Sequence, residues 1–234
     1  MSAASANGHD WPGAILFDLD GTLIDSVPDI AAAVNELLPL YGLEPLGVDQ
    51  VRKMVGEGVR KLVERAFAAR GVKLDKGDLD ERHGRMMTIY GKHLTGRTEL
   101  MAGAGRMLAD YHRGGVKLAV VTNKPEGFTR IILDHFGLSD MIGAVVGGDT
   151  CADRKPEPGM LYHTADLLHV DKDDCVMVGD SPADIDAARN AGIRSVAVRG
   201  GYSRVPVDEL GADIVIDTLA DLPGAIAAMK SSAA

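Results

Sequence analysis

Apolar positions along this chain follow two different periods. From Ala14 to Phe17 an unbroken apolar run has the length of a buried strand. It ends abruptly at Asp18-Leu19-Asp20-Gly21-Thr22, where glycine and threonine supply turn chemistry. Helical spacing then takes over. Asp25-Ser26 can cap a helix with Pro28 in its first turn, and Ile30, Val34, Leu37, Leu38 and Tyr41 share one face. A short piece over Val51–Val55 is followed by Gly56-Glu57-Gly58. A third helix carries Val59, Leu62, Val63, Ala66 and Phe67, and a fourth Met86, Ile89, Tyr90 and Leu94. Residues 24–97 are thus expected to be all helix.

Beyond residue 97, buried-strand runs alternate with helical segments. Strands are expected at Val116–Val121, Ala144–Val146, Cys175–Val178, Ser195–Val198 and Ile214–Ile216, and a closing helix over Leu219–Met229. Such alternation implies right-handed crossovers and a doubly wound, mainly parallel sheet covered by helices on both faces. The predicted fold is α/β, with a core of residues 12–23 plus 98–234 and an inserted helical cap of residues 24–97.

Composition narrows the function. The 234 residues carry a formal net charge of −9 with no Lys/Arg-rich block, which argues against nucleic acid as a partner. No apolar run reaches a membrane span, and Met1 to Asp10 reads as a small, polar, frayed tail and not a signal peptide. Cys151 and Cys175 lack metal-ligand spacing and read as reduced thiols of a cytoplasmic protein, monomeric or homodimeric.

In open parallel sheets ligands sit beyond the carboxyl ends of the strands, so polar residues at those tips are the candidates. The first tip offers Asp18 and Asp20. Two carboxylates there must bind a cation, share a proton or take separate roles. The second offers Thr122-Asn123-Lys124-Pro125, and the third leads through Gly147-Gly148-Asp149 to a loop containing Lys155. The fourth offers Gly179-Asp180-Ser181 with Asp184. Hard oxygen ligands favour Mg2+, which shares its shell with substrate phosphate. Lysine, threonine and helix N-termini suit phosphate oxygens. Asn123 can serve this site or cap the next helix.

Asp-Leu-Asp-Gly-Thr at 18–22, Thr122, Lys155 in Lys-Pro-Glu-Pro, and Gly179-Asp180-Ser181 with Asp184 resemble, in order and spacing, the four motifs of the haloacid dehalogenase superfamily. The resemblance implies Asp18 as nucleophile, Asp20 as general acid/base, and Thr122 and Lys155 on the phosphate. It implies Mg2+ held by Asp18, the Asp20 backbone carbonyl and Asp180, with Asp184 in support. A narrower likeness is to the bacterial phosphoglycolate phosphatases. It rests on Asp25-Ser26, Val55-Gly56-Glu57-Gly58, Val121-Thr122-Asn123-Lys124-Pro125, Val146-Gly147-Gly148-Asp149 and Gly200-Gly201-Tyr202. It implies hydrolysis of a small phosphorylated metabolite, 2-phosphoglycolate first. From the residues themselves, Gly56-Glu57-Gly58 is a glycine-hinged break between helices, expected to close over the site and meet the substrate's far end, with Arg52 or Arg60 as candidate carboxylate partners. The alternatives are a phosphatase or phosphomutase for another phosphometabolite, and a non-catalytic binding module on the same fold. A calcium loop at Asp18 is disfavoured, because its sixth and twelfth positions would be Leu23 and Asp29.

Overall fold

A computed structural model describes residues 11–232. The expected frayed tail, Met1 to Asp10, lies outside them. Strand β1 (Ala14–Phe17) is the middle of a six-stranded sheet, and every residue in it is fully buried. It pairs in parallel with β4 (Lys117–Val121) on one side and β6 (Cys175–Gly179) on the other. β5 (Ala144–Val146) extends the sheet beyond β4, while β7 (Arg194–Val198) and β8 (Ile214–Ile216) extend it beyond β6. All neighbours are parallel. After β5 the chain therefore crosses β1 and continues on the opposite side, which places the switch point at the tips of β1, β4 and β6.

Strand side chains alternate between the two faces. Ile15 and Phe17 belong to one apolar cluster, which also takes in Met107 and Leu108 of α5 (Ala104–Arg113), Ile132 and Leu133 of α6 (Glu126–His135), and Leu222 of α9 (Leu222–Ser232). Ala14 and Leu16 belong to the other, with Leu161 and Leu168 of α7 (Gly159–Leu168) and Ala187 and Ala188 of α8 (Pro182–Ala191). Helices thus cover both faces, as the run of strands without polar alternation requires.

Between β1 and β4 the chain makes the helical insert. Its members are α1 (Val27–Leu37), α2 (Val48–Arg52), α3 (Val59–Ala68) and α4 (Lys76–Tyr90). α1 packs against α2 and α4, and α4 against α3. The charged residues ahead of the fourth helix's apolar stripe form its first half. Asp75 caps it, accepting the Asp78 N–H at 2.8 Å.

The region expected to be helix throughout differs at its first two residues. Ile24–Asp25 is a strand, β2, paired antiparallel with β3 (Glu99–Leu100), so a two-stranded ribbon ties together the chain's exit from the core and its return. A two-residue strand has no period to read, and its partner lies far along the chain. The return is fixed further by Asp29 of α1. This buried carboxylate accepts the N–H groups of Arg97 and Thr98 and the Thr98 hydroxyl at 2.8–2.9 Å.

Leu16→Ala is expected to cost about 2–5 kcal/mol of unfolding free energy, because a fully buried strand at the sheet's centre cannot collapse around the cavity. Leu40→Ala, at a residue 55% exposed, is expected to change stability by no more than about 0.5 kcal/mol. Urea denaturation of the two variants measures both.

Candidate active site

Four strand tips meet over one small volume. Asp18 follows β1, and its N–H donates to the Val178 carbonyl of β6 at 2.9 Å, so its side chain leaves the sheet at the tip. Asp180 follows β6 and is 1% exposed. It accepts the Thr22 hydroxyl on Oδ1 at 2.8 Å and the Tyr202 N–H on Oδ2 at 2.6 Å. Gly21 stands against this carboxylate with φ +92°, and a β-carbon there would come within 2.7 Å of Asp180 Oδ2. Only glycine meets both demands. Asp184, in the first turn of α8, turns back to accept the Ser181 N–H and hydroxyl on Oδ2 at 3.0 and 2.7 Å.

Asp18, Asp180 and Asp184 each offer an oxygen within 4.8 Å of the others, and all three are buried. The cation that touches two of them is Lys155, whose Nζ donates to Asp18 Oδ1 (2.9 Å), Asp184 Oδ1 (2.6 Å) and the Val121 carbonyl (2.6 Å). Burial lowers the affinity of this amine for its proton, but Asp18 and Asp184 outweigh that and keep it an ammonium. One ammonium cannot neutralise three carboxylates. Burial first, then Asp184, pushes Asp18 up to about 6 against the pull of Lys155, and burial with Asp184 and Asp18 raises Asp180 well above the carboxylate range. A buried carboxylate surplus with oxygen donors at this spacing suits a divalent cation.

Asp20, two residues from Asp18, is not part of this cluster. Its oxygens accept Lys124 Nζ at 2.7 and 2.8 Å, and Oδ1 also accepts the Ser26 hydroxyl at 2.5 Å. Ser26 precedes α1 but its side chain does not cap the helix. It serves Asp20 instead. Lys124 is 4% exposed and donates also to the Tyr90 hydroxyl at the end of α4, at 2.5 Å. Burial opposes its charge, and Asp20 and Tyr90 more than restore it.

Thr122 lies at the tip of β4, 2% exposed, its hydroxyl oxygen accepting the Lys124 N–H at 3.2 Å. Asn123 does not cap α6, which starts after Pro125. Its Nδ2 donates to the carbonyls of Gly56 and Lys155, both at 3.0 Å, so it ties the cap loop to the core. Glu57 adds a second tie, pairing with Arg204 beyond β7 at 2.8 Å and with Arg65 inside the insert. Under this loop lies a small cavity, partly open to solvent. Asp18, Asp20, Thr122, Asn123 and Gly56 line it.

Arg60 is not brought to the cavity. It pairs with Asp80 of α4 at 2.9 Å and is absent from the lining. Arg52 pairs with Asp25 at 3.6 Å and lies over the Tyr202 ring. No site role followed from the sequence for Lys124, Tyr90, Ser26 or Tyr202 individually. Ser26, Lys124 and Tyr202 stood out only within the stretches that carry the narrower likeness, and Lys124 also by its place beside Thr122 at a strand tip.

The family model for haloacid dehalogenase-like hydrolases matches residues 15–198. The chain is 44% identical over 215 residues to a phosphoglycolate phosphatase of Rhodospirillum rubrum, covering 90% of this chain and 89% of that one. It is 39% identical over 225 residues to a phosphoglycolate phosphatase of Caulobacter vibrioides, covering 96% and 95%. Among solved structures, a predicted phosphoglycolate phosphatase from Haemophilus somnus 129PT superposes with a TM-score of 0.86 at 29% identity, covering 91% of this chain and 97% of that one. CbbY from Rhodobacter sphaeroides in complex with phosphate superposes with a TM-score of 0.77 at 25% identity, covering 90% and 96%.

The raised Asp18 has a consequence for the metal-free protein. A folded-state pKa of about 6 against an ordinary 3.8 means that folding binds the proton more tightly. That stabilisation is complete below the unfolded value and is lost as pH climbs from 3.8 to about 6, above which the fold carries the full repulsion. Added Mg2+ is therefore expected to raise the melting temperature more at about pH 7.5 than at about pH 5. Asp180→Asn should shrink the shift. Equal shifts at the two pH values, unchanged in the variant, would place the cation elsewhere.

Proposed function

The chain belongs to the haloacid dehalogenase-like hydrolases, and we propose that it is a Mg2+-dependent phosphatase that converts 2-phosphoglycolate to glycolate and phosphate. The observation that carries this reading is the separation of the two aspartates at one strand tip. Asp18 stands in the acidic cluster with Lys155, while Asp20 stands outside it with Lys124 and Ser26. One carboxylate is placed to attack and the other to carry a proton.

In the proposed reaction Asp18 Oδ attacks phosphorus, and the bond from phosphorus to the ester oxygen breaks. Asp20, entering protonated, gives its proton to that oxygen, so glycolate leaves as the alcohol. Asp20, now a carboxylate, takes a proton from water as the water oxygen attacks phosphorus. The Asp18–phosphorus bond then breaks, which releases phosphate and returns Asp18 to its starting form. Thr122 and Lys155 would hold the phosphoryl oxygens throughout, and phosphoryl transfer depends mainly on such positioning and positive charge. Asp18 and Asp180 would hold Mg2+, with Asp184 behind them; when bound, it offsets the negative charge of carboxylates and phosphate. Asp184 would act chiefly by fixing Lys155. The insert, residues 24–97, would act as the cap, with the loop at Gly56 excluding water from the aspartyl phosphate. Free Cys151 and Cys175 accord with a reducing, cytoplasmic setting. No helix among the described residues is long and apolar enough to cross a membrane.

Phosphate release from a panel of monoesters, with and without Mg2+, tests the reading. 2-Phosphoglycolate should be turned over best and only with the metal. Asp18→Asn should lower kcat by about a thousandfold or more with the fold intact by circular dichroism. An isomerised sugar phosphate without free phosphate would point to a mutase. Undiminished turnover by Asp18→Asn would remove the nucleophile assignment.

A further inference from the structure

The sequence led to arginines for the substrate's far end, and the structure gives both of them other partners. In the cavity's lining Ile30 and Val55 with Val59 and Leu62 of α3 are apolar, and Thr122, Asn123, Tyr90 and Lys124 are polar beside the two aspartates. Lys124 is the sole cationic side chain in the lining, which otherwise contributes the charges of Asp18 and Asp20. A substrate carrying a second anionic group beside its phosphate would meet two carboxylates there and a single positive charge to offset them.

We propose that Lys124 and Tyr90 form the subsite for the carboxylate of the substrate, and so select a phosphorylated hydroxy acid over a neutral phosphate ester. The proposal deepens the phosphatase reading and rests on it. Its geometry comes from the contacts of the ammonium. Nζ touches both oxygens of Asp20, at 2.7 and 2.8 Å, and the Tyr90 hydroxyl at 2.5 Å. Asp20 is the group placed to protonate the ester oxygen. In 2-phosphoglycolate the carboxylate carbon is two bonds from that oxygen, so whatever neighbours Asp20 on the cavity side neighbours the carboxylate.

Tyr90 completes the subsite. Its hydroxyl oxygen accepts from Lys124, which leaves its own proton free to donate, and no other described group takes that proton. The residue is 2% exposed and faces the cavity, and its ring is held edge-on by Phe128 of α6 at 5.5 Å. Burial, the largest influence, pushes the phenol up to about 12, so it remains a donor at neutral pH. The three ammonium hydrogens go to Asp20 and Tyr90, so Lys124 meets a carboxylate by its charge while the phenol supplies the hydrogen bond. The apolar walls around them strengthen that attraction by keeping water away.

The competing assignment is that Lys124 only braces Asp20. The two differ in how they treat substrates that share a phosphate but not a carboxylate. Steady-state kinetics of the full chain with Mg2+ should compare 2-phosphoglycolate with ethyl phosphate, where a methyl replaces the carboxylate. Lys124→Met will slow both if Asp20 loses its brace, so the quantity to read is the ratio of the two kcat/KM values. That ratio should fall by about tenfold or more in Lys124→Met, largely through KM for 2-phosphoglycolate. It should fall by about threefold or more in Tyr90→Phe, which removes one donor and no charge and carries the test if Lys124→Met does not fold. An unchanged ratio in the variants, with both substrates slowed alike, overturns the subsite and leaves the phosphatase reading standing. A wild-type enzyme with no preference for 2-phosphoglycolate over ethyl phosphate removes the substrate assignment and the subsite with it.

Discussion

Three buried carboxylates, two of them on one ammonium, set the terms for the rest of this molecule. Asp18, Asp180 and Asp184 each place an oxygen within 4.8 Å of the others, and each would be unfavourable there alone. They are tolerable because each is supplied with donors from a different part of the chain. Lys155 comes from the loop after β5, Thr22 from the turn after β1, Tyr202 from the loop after β7, and Ser181 from the head of α8. The parallel sheet brings these tips together, since all its strands end on one side. The topology that crosses from β5 back past β1 opens the gap in which they meet. Electrostatics in turn constrains the backbone: glycine must stand at position 21 because Asp180 occupies the space where a side chain would go.

The same constraint explains why two aspartates so close in sequence have different surroundings. Asp18 faces carboxylates and the inner ammonium, and its proton affinity rises accordingly. Asp20 faces a second, separate ammonium and the hydroxyl of Ser26, which sits where the chain leaves the core for the helical insert. Lys124 in turn reaches Tyr90, the last residue of α4. The acid/base candidate is therefore wired to both the exit of the insert and its fourth helix. A shift of the insert cannot leave Asp20 undisturbed, whereas Asp18 is anchored wholly from the core.

Much of this was legible in the residues. Unbroken apolar runs marked the buried strands because a sheet covered on both faces leaves few strand positions for water. Polar residues at the ends of those runs marked the site because strand tips are the ends that stay open. What the residues could not reveal was pairing across sequence distance. Lys124 looked like any lysine following a strand, and its burial depends on α4 arriving overhead. Asp29 looked like a first-turn acid, yet it is the clasp for Arg97 and Thr98. Arg60 looked well placed at the head of α3, but the helix turns it toward Asp80 on α4. Helical spacing tells which residues share a face, not which neighbour that face meets.

The position of the loop at Gly56-Glu57-Gly58 follows the same logic of charge and donor supply. Gly56 and Gly58 have φ of +116° and +84°, conformations a side chain would resist, and they carry between them a glutamate paired to Arg204 of the core. Asn123 holds the loop from beneath, donating to the Gly56 carbonyl. That bond also joins the loop to Lys155, because the second hydrogen of the same amide goes to the Lys155 carbonyl. One asparagine side chain thus spans this loop and the residue that anchors the acidic cluster. Its Oδ1 is buried without a protein partner, so the amide is held by its donors alone. Loop position and site geometry are in this way one mechanical problem. In the reaction proposed above that coupling would matter, because water must be kept out while the alcohol leaves and admitted afterwards.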